Sequence, residues 1–128
     1  MPEAAALPSR LAARPGGIAV VLFSQADCEF CAEMREHYLR PLLAEHRAGV
    51  AVAESRVDAD LPIRDWNGRQ TTQRLFAAAQ GVRFAPTVMF FDSSGRSLAE
   101  PIVGLSRDYF GIYLEQRIAT ALAAASRA

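Results

Sequence analysis

Apolar and polar positions along the 128-residue chain switch between the period of a strand and that of a helix. Ile18 to Ser24 is a nearly continuous apolar run, the pattern of a strand buried on both faces. Phe30, Met34 and Tyr38 recur every fourth residue and predict a helix from about Cys28 with a core-facing stripe. Pro41 is expected to interrupt it, having no N–H to donate, and to open a second short helix over Leu42 to Arg47. Val50 to Val57 reads as the second strand, and the polar stretch Asp58 to Gln70 as a long loop. Thr71 or Thr72 is placed to cap a helix through Gln80, with Gly81 at its exit. Pro86 to Phe91 is strand again, and Ser93-Ser94-Gly95 turns it into Arg96–Val103. Ser106 is expected to cap a last helix in which Phe110, Leu114, Ile118 and Leu122 share one face. The order β-α-β-α-β-β-α predicts an α/β fold: a central mixed β-sheet flanked by helices on both faces.

No repeat or long linker divides the chain, so residues 18–128 are expected to form one domain. Residues 1–17 read as a partly flexible N-terminal extension, with a short helix around Ser9 to Ala13 ended by Pro15-Gly16-Gly17. The formal net charge is zero, which gives no support to nucleic acid as a partner. All 14 basic residues are arginine, so lysine has no catalytic role here. No apolar run reaches the length of a membrane span. Residues 1–17 also lack the apolar core of a signal peptide. The expected location is therefore periplasmic or cell envelope if a signal segment was removed, and cytoplasmic otherwise.

The chain has two cysteines, Cys28 and Cys31, at the junction of the first strand and first helix. Unpaired N–H groups and the helix dipole at such a position favour thiolate, the nucleophile of disulfide exchange. A second thiol three residues away is placed to resolve the mixed disulfide formed by the first. A structural staple gains little from so small a loop. Cys-x-x-Cys is also metal-ligand spacing, but zinc would need His37 and His46 to complete its four ligands. His37 lies roughly 240° around the helix from Cys31. Haem attachment fails because Ala32 follows Cys31. Redox exchange is the leading reading, with no cofactor or metal required. Binding or delivery of a soft metal, copper or zinc, is the alternative.

From Ile18 to Leu122 the chain resembles thioredoxin-fold proteins. The resemblance rests on Asp27-Cys28-Glu29-Phe30-Cys31, Val57-Asp58, the segment Gly81 to Thr87, Phe90-Phe91-Asp92 with Gly95, and Val103-Gly104 in that order. The Asp65–Gly68 insertion and the broken first helix are similar to a subgroup of bacterial thioredoxins. That subgroup includes envelope proteins associated with sulfur oxidation (SoxW-like). The resemblance implies a thioredoxin fold and a thiol–disulfide oxidoreductase, with Cys28 as exposed nucleophile and Cys31 as buried resolving thiol. It implies a cis bond before Pro86, and a substrate groove formed by Ala85, Pro86, Glu29 and Phe30. Implied partners are protein or low-molecular-weight disulfides and a redox partner that regenerates the dithiol, acting on a monomer.

Three positions depart from ordinary thioredoxin: Asp27 replaces its tryptophan, Glu29-Phe30 its Gly-Pro, and Leu22 its buried acid. Asp27 and Glu29 place negative charge beside Cys28 and oppose thiolate formation. A less stabilised thiolate makes the disulfide less oxidising, which favours a reductase or isomerase. Glu54 is the candidate proton relay for Cys31 in place of the missing acid. Trp66 is expected to anchor the long loop, Met34 to belong to the core, and His37 and His46 to lie on helix surfaces.

Overall fold

The computed structural model describes residues 16–127. The expected helix around Ser9 to Ala13, and most of the N-terminal extension, lie outside the described residues. A four-stranded sheet has the order β2-β1-β5-β6, with β1 Ile18–Ser24, β2 Val50–Arg56, β5 Thr87–Phe91 and β6 Ile102–Val103. β1 pairs parallel with β2 and antiparallel with β5, which pairs antiparallel with β6. Every residue of β1 and β5 is buried, as their unbroken apolar runs require.

Side-chain alternation divides the core between the two faces. Ile18, Val20 and Leu22 of β1, with Val52, Val88 and Phe90, pack against a bent helix (29–44) and the final helix α4, Phe110–Ser126. Ala19, Val21 and Phe23, with Ala53, Met89 and Phe91, pack against α3, Gln73–Ala79. Full burial contributes about 1.5–3 kcal/mol for each large apolar side chain. Helices therefore cover both faces of a mixed sheet, the expected fold class.

Local structure corrects several expectations. The first helix is not broken at Pro41. α1, Glu29–Met34, passes through a π-helical turn, Arg35–Leu39, into α2, Arg40–Ala44. The Arg40 N–H donates to the Arg35 carbonyl five residues back, and this wider turn moves aside the carbonyl that the proline ring would meet. The expected stripe begins only at Met34: Met34 is fully buried and Tyr38 partly, but Phe30 is 53% exposed.

The stretch 58–70 is not a plain loop, because β3 Pro62–Arg64 and β4 Gln70–Thr72 form a hairpin. Its turn is closed by the Asp65 carboxylate, which accepts the Asn67 and Arg69 N–H groups at 2.9 Å. Only Ile63 of β3 is buried, too short an apolar signal to read as a strand. Trp66 anchors the hairpin on Phe76 and Phe91, with ring centroids 5.8 and 5.0 Å away. A Cβ at Gly95 (φ +89°) would strike the Trp66 ring, so packing and backbone both demand glycine there.

The strand expected over Arg96–Val103 is reduced to Ile102–Val103 plus a single bridge between Ser97 and Phe91. Pro101 has no N–H to extend the ladder. Thr72 does cap α3, accepting the Leu75 N–H at 3.2 Å. Ser106 does not cap α4 through its side chain; its carbonyl accepts the Tyr109 and Phe110 N–H groups, and a turn precedes the helix. His46 lies in a turn with φ +49° rather than on a helix, and both histidines are exposed.

Candidate active site

β1 delivers the chain to one end of the sheet, where Gln25 to Asp27 turn it into α1. Asp27 takes the left-handed conformation (φ +54°), which aspartate tolerates better than most residues. The turn is tied to β2 by two bonds: the Val57 N–H donates to the Ser24 carbonyl at 2.8 Å, and the Ala26 N–H to Asp58 Oδ2 at 3.0 Å. The Arg56 guanidinium and the Ala26 N–H hold the Asp58 carboxyl at a pKa of about 2.

Cys28 is the N-cap of α1, and its Sγ accepts the Cys31 N–H at 3.1 Å. Cys28 and Cys31 are joined as a disulfide, with Cα atoms 5.2 Å apart. Their environments differ sharply. Cys28 is half-buried at the edge of a cavity of about 600 Å3, whereas Cys31 has no exposed surface. In the reduced form, the N–H that faces Cys28 would favour its thiolate.

The antiparallel register of Phe23 with Thr87 brings the residues before β5 to the same end of the sheet. The Ala85–Pro86 peptide bond there is cis. Pro86 is buried, and its carbonyl accepts the Gly104 N–H at 2.8 Å, tying this loop to the end of β6. Phe30, Phe84 and Val103 belong to the three segments that meet at this end and are 53%, 68% and 60% exposed. Arg107 lies over the Phe30 ring, 5.8 Å from its centroid, and makes two hydrogen bonds to Glu33 at 2.7 and 2.8 Å.

A family model described as Thioredoxin-like domain matches residues 10–117. The chain belongs to that family. Among solved structures, Fasciola hepatica thioredoxin superposes on this thioredoxin-like chain with a TM-score of 0.64 at 19% identity. The match covers 91% of this chain and 99% of that one, and at this identity it speaks for the fold alone. No curated protein sequence matches the chain significantly.

The thioredoxin-like site gathers Cys28, Cys31 and Glu29 on the α1 side, with Glu29 exposed in the first turn. Glu54 lines the Cys28 cavity from β2, in register with Leu22 of β1. Its hydrogen bonds are to other groups than the cysteines. Arg35 Nε and Nη2 donate to its two oxygens at 2.7 and 2.6 Å, and the Ser24 hydroxyl donates to Oε2 at 2.6 Å. Burial pushes the Glu54 carboxyl up, but Arg35 and Ser24 outweigh it and leave the pKa below the ordinary value. Among the described residues, no three His, Cys, Asp or Glu side chains gather as a metal-ligand set.

Sequence reasoning missed Arg35 and Asp58 as parts of this site. Arg35 carried a readable signal: it lies four residues after Cys31 and seven after Cys28, on the same helix face. Asp58 was visible only as part of the family pattern, and its bond to the Ala26 turn could not be read before β2 was placed beside it.

Proposed function

We propose that this protein is a thiol–disulfide oxidoreductase, acting as a reductase or isomerase on protein or low-molecular-weight disulfides. The observation that carries the reading is the contrast between two disulfide-bonded sulfurs, one at a cavity edge and one fully buried. In the dithiol, the Cys28 thiolate attacks one sulfur of a substrate disulfide. A Cys28–substrate bond forms, the substrate disulfide breaks, and the departing thiolate takes a proton. The Cys31 thiolate, after losing its own proton, then attacks the Cys28 sulfur, closes the Cys28–Cys31 bond and releases the second substrate thiol. Two electrons and two protons pass to the substrate, and a thiol or dithiol partner returns them to the protein.

Ala85, Pro86, Glu29 and Phe30 form the proposed substrate groove. A small residue at 85 leaves room beside the sulfurs, and exposed Phe30 offers an apolar contact to a polypeptide. Asp27 and Glu29 are both exposed near Cys28 and disfavour extra negative charge there, in keeping with a weakly oxidising pair. The insertion carrying Trp66 supports membership of the bacterial envelope (SoxW-like) subgroup. No helix among the described residues is long and apolar enough to cross a membrane.

Cys31→Ser tests the mechanism. It should accumulate a covalent Cys28–substrate disulfide visible by non-reducing mass spectrometry, while Cys28→Ser should form none. Both variants should lose turnover. Adduct formation through Cys31 in the Cys28→Ser variant would reverse the roles. Stoichiometric Cu(I) or zinc retention without disulfide exchange would favour metal binding instead.

A further inference from the structure

Arg35 and Glu54 form the least exposed ion pair among the described residues. Their side chains keep 25% and 15% of their exposure, against 50% and 52% for Arg40 and Glu36 on the same bent helix. Helix periodicity sets where this pair stands. Arg35 follows Cys31 by four residues and Cys28 by seven, so the three share a face. Cys28, Ala32 and Arg35 line one cavity, and Glu54 lines it from β2. The small Ala32 leaves the space between cysteine and arginine open. A long side chain on a helix leans toward the N-terminus, here toward the sulfurs.

Glu54 fixes the guanidinium with two short hydrogen bonds and is itself fixed by Ser24, a fully buried residue of β1. The acid stands in register with Leu22, so its side chain emerges on the face of the sheet that the bent helix covers. The remaining charges around Cys28 are Asp27 and Glu29 beside it and Arg56 from β2. Arg56 is engaged by Asp58 at 2.8 Å, and beyond Phe30 Arg107 and Glu33 neutralise each other. Arg35 is thus the one cation that the helix itself presents to this cavity, opposite two acids with no ion-pair partner among the described residues.

We propose that the Arg35–Glu54 pair sets the charge balance of the dithiol: the guanidinium favours the Cys28 thiolate, and the carboxylate opposes it while holding the guanidinium in place. This rests on the dithiol-exchange reading above. The two partners have opposite effects on one neighbour. Removing the guanidinium leaves an unpaired carboxylate lining the Cys28 cavity, and removing the carboxylate leaves an unpaired cation there. Through a mixed protein and water medium, one such charge shifts a titration by about half a pH unit. That is about a threefold change in thiolate fraction below the midpoint.

The test is the pH dependence of Cys28 alkylation by iodoacetamide in the reduced protein, read by mass spectrometry. Arg35→Gln should raise the midpoint and slow alkylation about threefold at neutral pH. Glu54→Gln should lower the midpoint and speed it by a similar factor. The double variant should return near the wild-type value, and Arg35→Lys should keep most of the wild-type behaviour. If Arg35→Gln fails to fold, the downward shift in Glu54→Gln and the retained midpoint of Arg35→Lys still decide the matter. Unmoved midpoints, or shifts of the same sign in both single variants, would overturn the proposal. An unmoved midpoint with slowed closure of the Cys28–Cys31 bond in Glu54→Gln would also overturn it, in favour of Glu54 as the proton acceptor of Cys31. Equilibration of the same samples in thiol–disulfide buffer separates the two levels. Opposite shifts in a protein that never closes its disulfide would sink the oxidoreductase reading alone. A well-behaved two-electron couple with unmoved midpoints would sink the charge balance alone.

Discussion

At the end of the sheet where β1 begins, polar groups are satisfied close to home in the sequence. Asp92 accepts the Ser94 and Arg96 N–H groups at 2.9 and 3.0 Å to close the hairpin turn after β5. Arg47, after α2, bonds to Glu45 two residues away, although it also reaches Glu115 on α4. At the end where β1 stops, the polar bonds span separate elements. Glu54 of β2 joins Arg35 of the helix and Ser24 of β1, and Asp58 holds the Ala26 turn. There the chain also exposes Phe30, Phe84 and Val103, and leaves a cavity beside a sulfur. Local turns are enough to finish a sheet end. Half-buried charge, exposed apolar surface and an accessible sulfur together go beyond that need and are the features the proposed exchange reaction calls for.

The sharpest way to separate the two ends is to damage first what they share. Phe110 is fully buried and packs edge-on against Tyr38, with centroids 4.8 Å apart. Phe110→Ala should cost about 3–5 kcal/mol in chemical denaturation, because it removes apolar burial and leaves a cavity. A loss under about 1 kcal/mol would show that the face of the sheet under α4 repacks freely.

Glu54→Gln should cost less, about 1–2 kcal/mol at neutral pH, by weakening a partly buried ion pair. The sign of its pH dependence follows from the depressed carboxyl. The pair's contribution is fully present above the unfolded-state value of about 4.3 and fades as pH falls through the lower folded-state value. The stability gap between wild type and Glu54→Gln should therefore close on acidification. A gap that widens below pH 4 would contradict the charged pair.

Smallest of all should be Arg47→Gln at the opposite end. Its partners Glu45 and Glu115 are more than half exposed, so the change should stay within about 1 kcal/mol in the same assay. A cost equal to that of Glu54→Gln would erase the distinction between the two ends.

Features written in short stretches of sequence were legible. The apolar runs of β1 and β5, the Cys28–Cys31 spacing at a strand–helix junction and the Thr72 cap all depend on neighbours a few residues away. The family pattern pointed to Pro86, whose preceding bond is cis. What depended on distant partners was not legible. Spacing alone puts Arg35 on the cysteine face of the helix, but its partner is hidden until the register of Leu22 with Glu54 places an acid opposite it. Pro41 reads as a helix breaker until a π-helical turn makes room for its ring. Ile63 alone cannot announce a three-residue strand, and the hairpin needs the Asp65 turn and Trp66 packing to exist.

The most direct measurement is the equilibrium of the Cys28–Cys31 pair across a graded thiol–disulfide buffer, with alkylation and mass spectrometry counting the electrons. The expected result is one two-electron transition near the thioredoxin value of about −270 mV, well below the value of about −120 mV typical of a strong disulfide-forming oxidant. A pair that never closes into an intramolecular disulfide across that range would contradict dithiol exchange as the function of this site.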